Sequence, residues 1–384
     1  EISECLVGSE MCIRDSSNSN TTNTGIRSRW DPTLTSTRGS QIITDYIRQC
    51  MVWTGNSTID YAVLTHFHND HFGGYTSSLP KSANSNTYSL IGFAEIFDNF
   101  KIGTLLDRGY PDYNYPFDMA TMADNAPSCN NYINAVKWHV ANQKFDAAIF
   151  KAGANNQIVQ KYNPAKYPTA KVQNVAVNGE IWTGSGTTTK KTFPELSEIT
   201  YENSKNITSS DNCPPENITS CVMKVSYGNF DFFAGGDLQY NGRSSHAWKD
   251  AELPCAKAVG QVELLKANHH GVTNTNQVDA LKALNPQTIV VNSWVDCHPR
   301  TDILNSMETT LPACDMFITN FWQGDRPSGV DDRVTAEEAA RVKGYDGHIV
   351  VRVTDGGNKY RVVTITDSDG AMTVKTISGP YTSR

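Results

Sequence analysis

The chain has 384 residues and no run of about 18 apolar ones, so nothing in it reads as a membrane span. It has no CxxC, which removes a zinc ribbon and a redox dithiol from consideration. Nor is base in excess: Lys and Arg number 33 against 40 Asp and Glu, a net charge of −7. An acidic surface opposes a polyanion such as DNA, which needs a basic track to release counterions. Extended nucleic acid is therefore a poor partner, and a small or weakly charged substrate suits the balance better. The opening EISECLVGSEMCIRDS lacks the basic start and continuous apolar centre of a signal peptide. It contains CLVGSEMCIRDS, a string that recurs as an adapter-derived artefact in translated transcriptome assemblies. Residues 1–16, with Cys5 and Cys12, are accordingly set aside as non-native, and the true N-terminus is expected to be missing.

A hydrophobic fraction of 39% with 19% charged residues supplies enough apolar material for a substantial core. Residues 17–40 are rich in Ser, Thr and Asn and read as disordered or a remnant. The remainder, 41–384, reads as one domain with a polar insertion at 184–220. Cys213 and Cys221 bracket a short polar loop, and whether they are bridged stays open. Sequons at Asn20, Asn56, Asn206 and Asn217 suit a secreted protein, although Asn- and Ser/Thr-rich loops also produce such triplets by chance.

Apolar spacing predicts helices over 40–53, 94–101, 132–142, 277–284 and 336–343. Strands are predicted over 60–65, 262–266, 288–292, 315–319, 348–353 and 360–366. Two hairpins are expected, 175–182 about Asn178-Gly179 and 221–234 about Gly228-Asn229. Three of the predicted buried strands run directly into acidic or imidazole side chains. After the first comes LTHFHNDHFGGY, with His66, His68, Asp70 and His71; after the second hairpin comes Gly235-Gly236-Asp237; after Ala267 comes Asn268-His269-His270-Gly271. Strand ends on one edge of a sheet converge, so these groups are expected to meet.

His66 and His68, two apart on extended chain, can point the same way and hold one cation; Asp70 and His71 can hold a second. Gly73 and Gly74 would let backbone pack beneath them. Two cations side by side need a shared carboxylate, for which Asp237 is the candidate, and one histidine of the His269-His270 pair would complete the second site. Mixed imidazole and carboxylate suits Zn2+, with Mn2+ or Fe2+ as alternatives. His139 is expected to pack or to be exposed within its helix, and His246 and His348 carry no signal.

With these residues in place, the chain resembles a metallo-β-lactamase-fold hydrolase. The nearer likeness is to the branch found in the hydrolase domain of DNA-uptake competence channels and in choline-phosphate esterases of teichoic acid. IDYAVLTHFHNDHFGG, VNGEIWTG, ENITSCVMKVSYGNFDFFAGGDL, LLKANHHG and TIVVNSW followed by CHP resemble its motifs in order, over residues 42–366. The resemblance implies an α/β (α+β) fold, a four-layer αββα sandwich of the metallo-β-lactamase type, here lacking its first strands. It implies two divalent metal ions: His66 and His68 on the first, Asp70, His71 and His270 on the second, and Asp237 bridging. His270 is preferred over His269 because the family's ligand stands just before a glycine; His269 and His298 then line the pocket. Asn217 falls where the family has a structural asparagine, which weakens it as a glycan site. The expected activity is hydrolysis of a phosphoester by metal-activated hydroxide, with Asp70 or Asp237 orienting the nucleophile and His269 or His298 donating a proton. A lactonase or β-lactamase is the alternative within enzymes, and a non-catalytic metal-binding or surface-recognition protein is the alternative outside them.

Overall fold

The computed structural model describes residues 39–199, 212–240, 246–293, 297–325, 333–366 and 372–384. The readings of residues 1–16 and of nearly all of 17–40, and the sequons at Asn20 and Asn206, lie outside the described residues.

The first part of the chain runs α1 (Gly39–Thr54), β1 (Thr58–Val63), α2 (Asn69–Phe72), α3 (Gly92–Asn99), β2 (Lys101–Asp107), α4 (Ala126–Ala141) and β3 (Asp146–Ile149). β1, β2 and β3 form a parallel three-stranded sheet. α3 packs between α1 and α4, and an aromatic cluster of Phe67, Phe72, Tyr88, Phe97 and Tyr132 fills the space beneath them.

The middle part holds β4 (Lys171–Val177), β5 (Glu180–Trp182), β6 (Thr189–Lys191), β7 (Val222–Tyr227) and β8 (Phe230–Ala234). It continues through α5 (Glu252–Val259), β9 (Leu264–Lys266), α6 (Val278–Leu284), β10 (Thr288–Val291), α7 (Thr301–Thr310) and β11 (Asp315–Ile318). After a short pair, β12 (Gly324–Asp325) and β13 (Arg333–Val334), come α8 (Ala336–Ala339) and β14 (Val342–Tyr345). These build a nine-stranded mixed sheet in the order β14-β11-β10-β9-β8-β7-β4-β5-β6, parallel from β14 to β8 and antiparallel beyond. The last part, β15 (His348–Thr354), β16 (Lys359–Ile365) and β17 (Val374–Thr382), is an antiparallel sheet of its own.

Strand side chains alternate faces, and here both faces are buried. Phe233 and Leu265 point into the core that α5, α6 and α7 cover, while Phe232 and Leu264 point the other way, onto Val351, Val353, Tyr360 and Val362 of the last sheet. That explains the uninterrupted apolar runs FDFFA and LLK. β8, β9 and β10 are parallel neighbours, so the residues after Ala234, Lys266 and Val291 emerge side by side on one edge.

The fold is thus mixed α/β around a large mixed sheet, and most predicted elements are present within a residue or two. The helix expected over 336–343 stops at Ala339, and Val342 begins a strand instead. Thr335 and Glu338 cap each other there, but pairing with β11 buries Val342 and outweighs local propensity. The stretch 184–220 contributes β6 at its start and a buried segment at its end, with Cys213 and residues 217–220 inside the fold. Cys213 and Cys221 are two buried thiols and are not bridged.

Candidate metal centre

β1 delivers the first loop. Thr65 C=O accepts from the Cys221 amide (2.8 Å), which ties the end of the three-stranded sheet to the start of β7. Between His66 and His68 the Phe67 amide donates to Glu216 Oε1 (2.6 Å), and Arg108 Nε donates to the same oxygen (2.8 Å). The Arg108 guanidinium also bonds Glu216 Oε2 and lies 4.7 Å from the Phe67 ring centroid. The chain then turns into α2, which carries Asp70 and His71. Gly73 is required where α2 ends: its φ is +105° and a Cβ would sit 2.8 Å from Ile91 Cγ1, whereas a Cβ on Gly74 would meet nothing closer than 3.6 Å.

The second loop follows β9. His269 and His270 both adopt left-handed backbone (φ 45° and 57°), and Gly271 continues it (φ 73°). This turns both imidazoles toward Asp237, which follows β8.

The eight expected residues meet. One ligand atom from each of Asp70, His71, Asp237 and His270 lies within 4.8 Å of the others. Asp237 Oδ2 is the common neighbour, 3.1 Å from His71 Nε2, 3.5 Å from His270 Nε2, and 3.7 Å from both His66 Nε2 and His269 Nε2. Asp70 Oδ2 is 3.4 Å from His270 Nε2 and 3.7 Å from His71 Nε2. His66 Nε2 and His68 Nδ1 are 3.1 Å apart, as two imidazoles aimed at one point would be. His298 stacks parallel on His270, centroids 5.6 Å apart.

Neighbouring groups orient the rings. His270 Nδ1 donates to Asn292 C=O (2.8 Å), which leaves the Nε2 lone pair facing two carboxylates. That is repulsive unless a proton or a cation lies between them. The Thr65 hydroxyl reaches Nδ1 of both His66 (3.2 Å) and His71 (3.3 Å). Asn217 Nδ2 donates to His269 Nδ1 (3.3 Å), so neutral His269 carries its proton on Nε2. Lys266 Nζ donates to Gly236 C=O (2.6 Å) and stands 3.9 Å from Asp237 Oδ1.

Burial and a crowd of imidazoles set the charges. Desolvation, then His71, holds His66 well below the usual imidazole range. Burial alone would push Asp237 up, but His71, His270 and His269 outweigh it and hold the carboxyl well down. Asp70 is likewise lowered, its burial overcome by His71 and His270. Burial lowers His269 to about 4 and His298 to about 3. The centre therefore combines ionised Asp70 and Asp237 with His66, His269 and His298 held neutral by burial, and a deprotonated imidazole is the form that metal ligation needs. Asp237 Oδ1 is buried with no hydrogen-bond partner, which fits a cation-binding carboxylate.

His139 lies elsewhere: it is buried, its Nδ1 donating to Ala135 C=O and its Nε2 3.2 Å from Asp98. Asn217 is 8% exposed and bonds Gln239 and His269, while the sequon asparagine Asn56 is exposed. Sequence reasoning missed Thr65, Arg108, Glu216, Glu252, Lys266 and Asn292. Thr65, Lys266 and Asn292 close predicted strands and were within reach; Arg108, Glu216 and Glu252 act through partners distant in the chain. Among the described residues no helix is long and apolar enough to cross a membrane. The chain matches no protein-family model, and no curated protein matches it.

Proposed function

We propose that the protein is a dinuclear metal-dependent hydrolase of the metallo-β-lactamase type, acting on a phosphoester. The observation that carries this is the convergence of Asp70, His71, Asp237 and His270 from three separated loops, with His66 and His68 alongside. The four-layer αββα arrangement belongs to the same reading. In its support, the nine-stranded sheet packs one face on the last sheet and the other on α5, α6 and α7, and α3 and α4 lie on the three-stranded sheet. His66 and His68 would hold one divalent cation, Asp70, His71 and His270 the other, and Asp237 both; Zn2+ suits the donor set, with Mn2+ or Fe2+ as alternatives. When bound, the pair supplies Lewis acidity and a water acidified to near neutral pH.

The chain's own residues do the rest. Thr65 and Asn292 fix ring orientation, so Nε2 of His66, His71 and His270 needs no reorganisation. Asp70 and Asp237 are the ionised carboxylates able to orient a nucleophile. His269, partly exposed and neutral with its proton on Nε2, offers a hydrogen bond to a substrate oxygen, and His298 lines the same wall beside His270. The acidic net charge favours a small phosphoester over extended nucleic acid.

Metal analysis by mass spectrometry and hydrolysis of bis(p-nitrophenyl) phosphate test the proposal together. Two equivalents of metal and metal-dependent turnover are expected; less than about half an equivalent would sink it. Parallel assays on an acyl-homoserine lactone and a chromogenic cephalosporin separate phosphoesterase from lactonase or β-lactamase activity.

A further inference from the structure

The loop that carries His269 and His270 is strained, and something must hold it. Two successive non-glycine residues in left-handed backbone cost energy and persist only when the surroundings over-determine them. The surroundings here centre on one side chain outside the metal centre. Glu252, in the first turn of α5, is buried and accepts three hydrogen bonds. Asn268 Nδ2 donates to Oε1 (2.7 Å), the Asn276 amide donates to Oε1 (2.5 Å), and the Gln277 amide donates to Oε2 (2.9 Å). Asn276 closes the lattice: its Oδ1 accepts from the Asn268 amide and its Nδ2 donates to Asn268 C=O, both at 3.0 Å. Asn268 also packs closely on Gly235, where a Cβ would stand 2.0 Å from Asn268 Oδ1.

We propose that Glu252 is a positioning residue: it pins both ends of the 268–276 loop and so aims His270, and with it His269, at Asp237. The proposal rests on the metal-centre reading for its consequence, but the clamp itself is a property of the chain. If Glu252 only filled space in the core, its loss would lower stability without singling out one cation. If it positions His270, its loss weakens the cation that His270 helps to hold and spares the one on His66 and His68.

The test compares wild type, Glu252→Ala and Glu252→Gln by zinc titration calorimetry and by amide hydrogen exchange of the metal-free proteins. Glu252→Ala is expected to weaken one zinc equivalent by about 10–100-fold, the usual cost of losing a residue that supports a ligand, with the other equivalent retained. Exchange at Asn268 and Val272 should quicken at least about tenfold, since their amides close the loop on Asn276 and His269. Glu252→Gln, which keeps the acceptor for Asn268 and Asn276, should recover most of both effects. A folded Glu252→Ala protein with wild-type exchange and both zinc affinities unchanged overturns the proposal, as does equal weakening of both equivalents. Should circular dichroism show Glu252→Ala unfolded, Asn268→Ala takes its place, removing one Glu252 contact, and must give the same signature. Wild-type protein that binds no zinc sinks the metal reading, and the exchange result then decides the clamp alone.

Discussion

The two histidine loops are fastened by the same device with opposite electrostatics. In the first, Glu216 grips the Phe67 amide between His66 and His68, and Arg108 neutralises it. Arg108 outweighs burial and holds the Glu216 carboxyl below its ordinary value. In the second, Glu252 grips Asn268, Asn276 and Gln277, and only neutral donors face it. Burial wins there over those hydrogen bonds and raises Glu252 to about 7. One loop is locked by a charge pair and the other by a group poised to titrate. Glu216 contributes stability that is lost as pH falls, Glu252 stability that is lost as pH rises. The first loop should be the stiffer at neutral pH.

The largest effect should erase the comparison. Asp237 serves both loops, so Asp237→Ala removes the group common to the two proposed cation positions. Turnover of bis(p-nitrophenyl) phosphate should fall by at least about a thousandfold, with both metal equivalents weakened. Retained turnover would show that the two loops do not work on one centre. Next in size is the charge pair. Arg108→Met leaves Glu216 unpaired in a largely buried setting and should cost about 3–5 kcal/mol in urea unfolding. A cost under about 1 kcal/mol would mean that the pair is no lock and would bring the two loops level.

A pH series sharpens the contrast. The Glu252 acid is favoured in the fold, so its contribution is fully present below its ordinary 4.5 and is lost as pH rises through about 7. In metal-free protein the difference in unfolding free energy between wild type and Glu252→Gln should shift by about 3 kcal/mol across that window, with wild type losing ground as pH rises. A flat difference would show that the three donors keep Glu252 ionised throughout and that both loops are locked by charge.

How much of this was legible beforehand follows from distance along the chain. The strand-end candidate ligands were readable because local signals carry them: an apolar run, then HxHxDH, or Gly-Gly-Asp, or His-His-Gly. Parallel strands ending on one edge bring Asp237 and the His269-His270 pair together. The first loop instead arrives from the separate three-stranded sheet and is tied in between Thr65 and Cys221, which no local signal announced. Glu216 and Glu252 gave no such signal, since each acts on a loop whose sequence says nothing of its partner: Glu216 reaches Phe67 across 149 positions. The helix expected over 336–343 failed for a related reason. Its pattern is locally helical, and only pairing with β11 turns Val342 into a strand. The bridge left open between Cys213 and Cys221 also depended on three dimensions: Cys221 is buried beside Asp107, Arg108 and Glu216 rather than joined to Cys213.

The smallest effect probes the far side of the first loop, where the paired glycines were read as equivalent and the structure separates them. At Gly73 a methyl group would press on Ile91 and on the Gly92 backbone, at a φ that side chains avoid. At Gly74 the nearest atoms belong to Asn69, at ordinary contact distance, and the backbone is not left-handed. An alanine at an unstrained position restricts the unfolded chain and stabilises by about 0.4–1 kcal/mol, whereas one at a left-handed position costs more than that gain. Gly74→Ala should therefore leave the unfolding free energy in urea unchanged or slightly raised, and Gly73→Ala should lower it by upwards of about 1 kcal/mol. If the first loop is the stiff one, Gly73→Ala should also weaken the cation proposed on His66 and His68, because α2 cannot absorb the shift. Equal tolerance at the two positions would show a loop that yields, and the stiffness assigned to the Arg108 pair would have to be withdrawn.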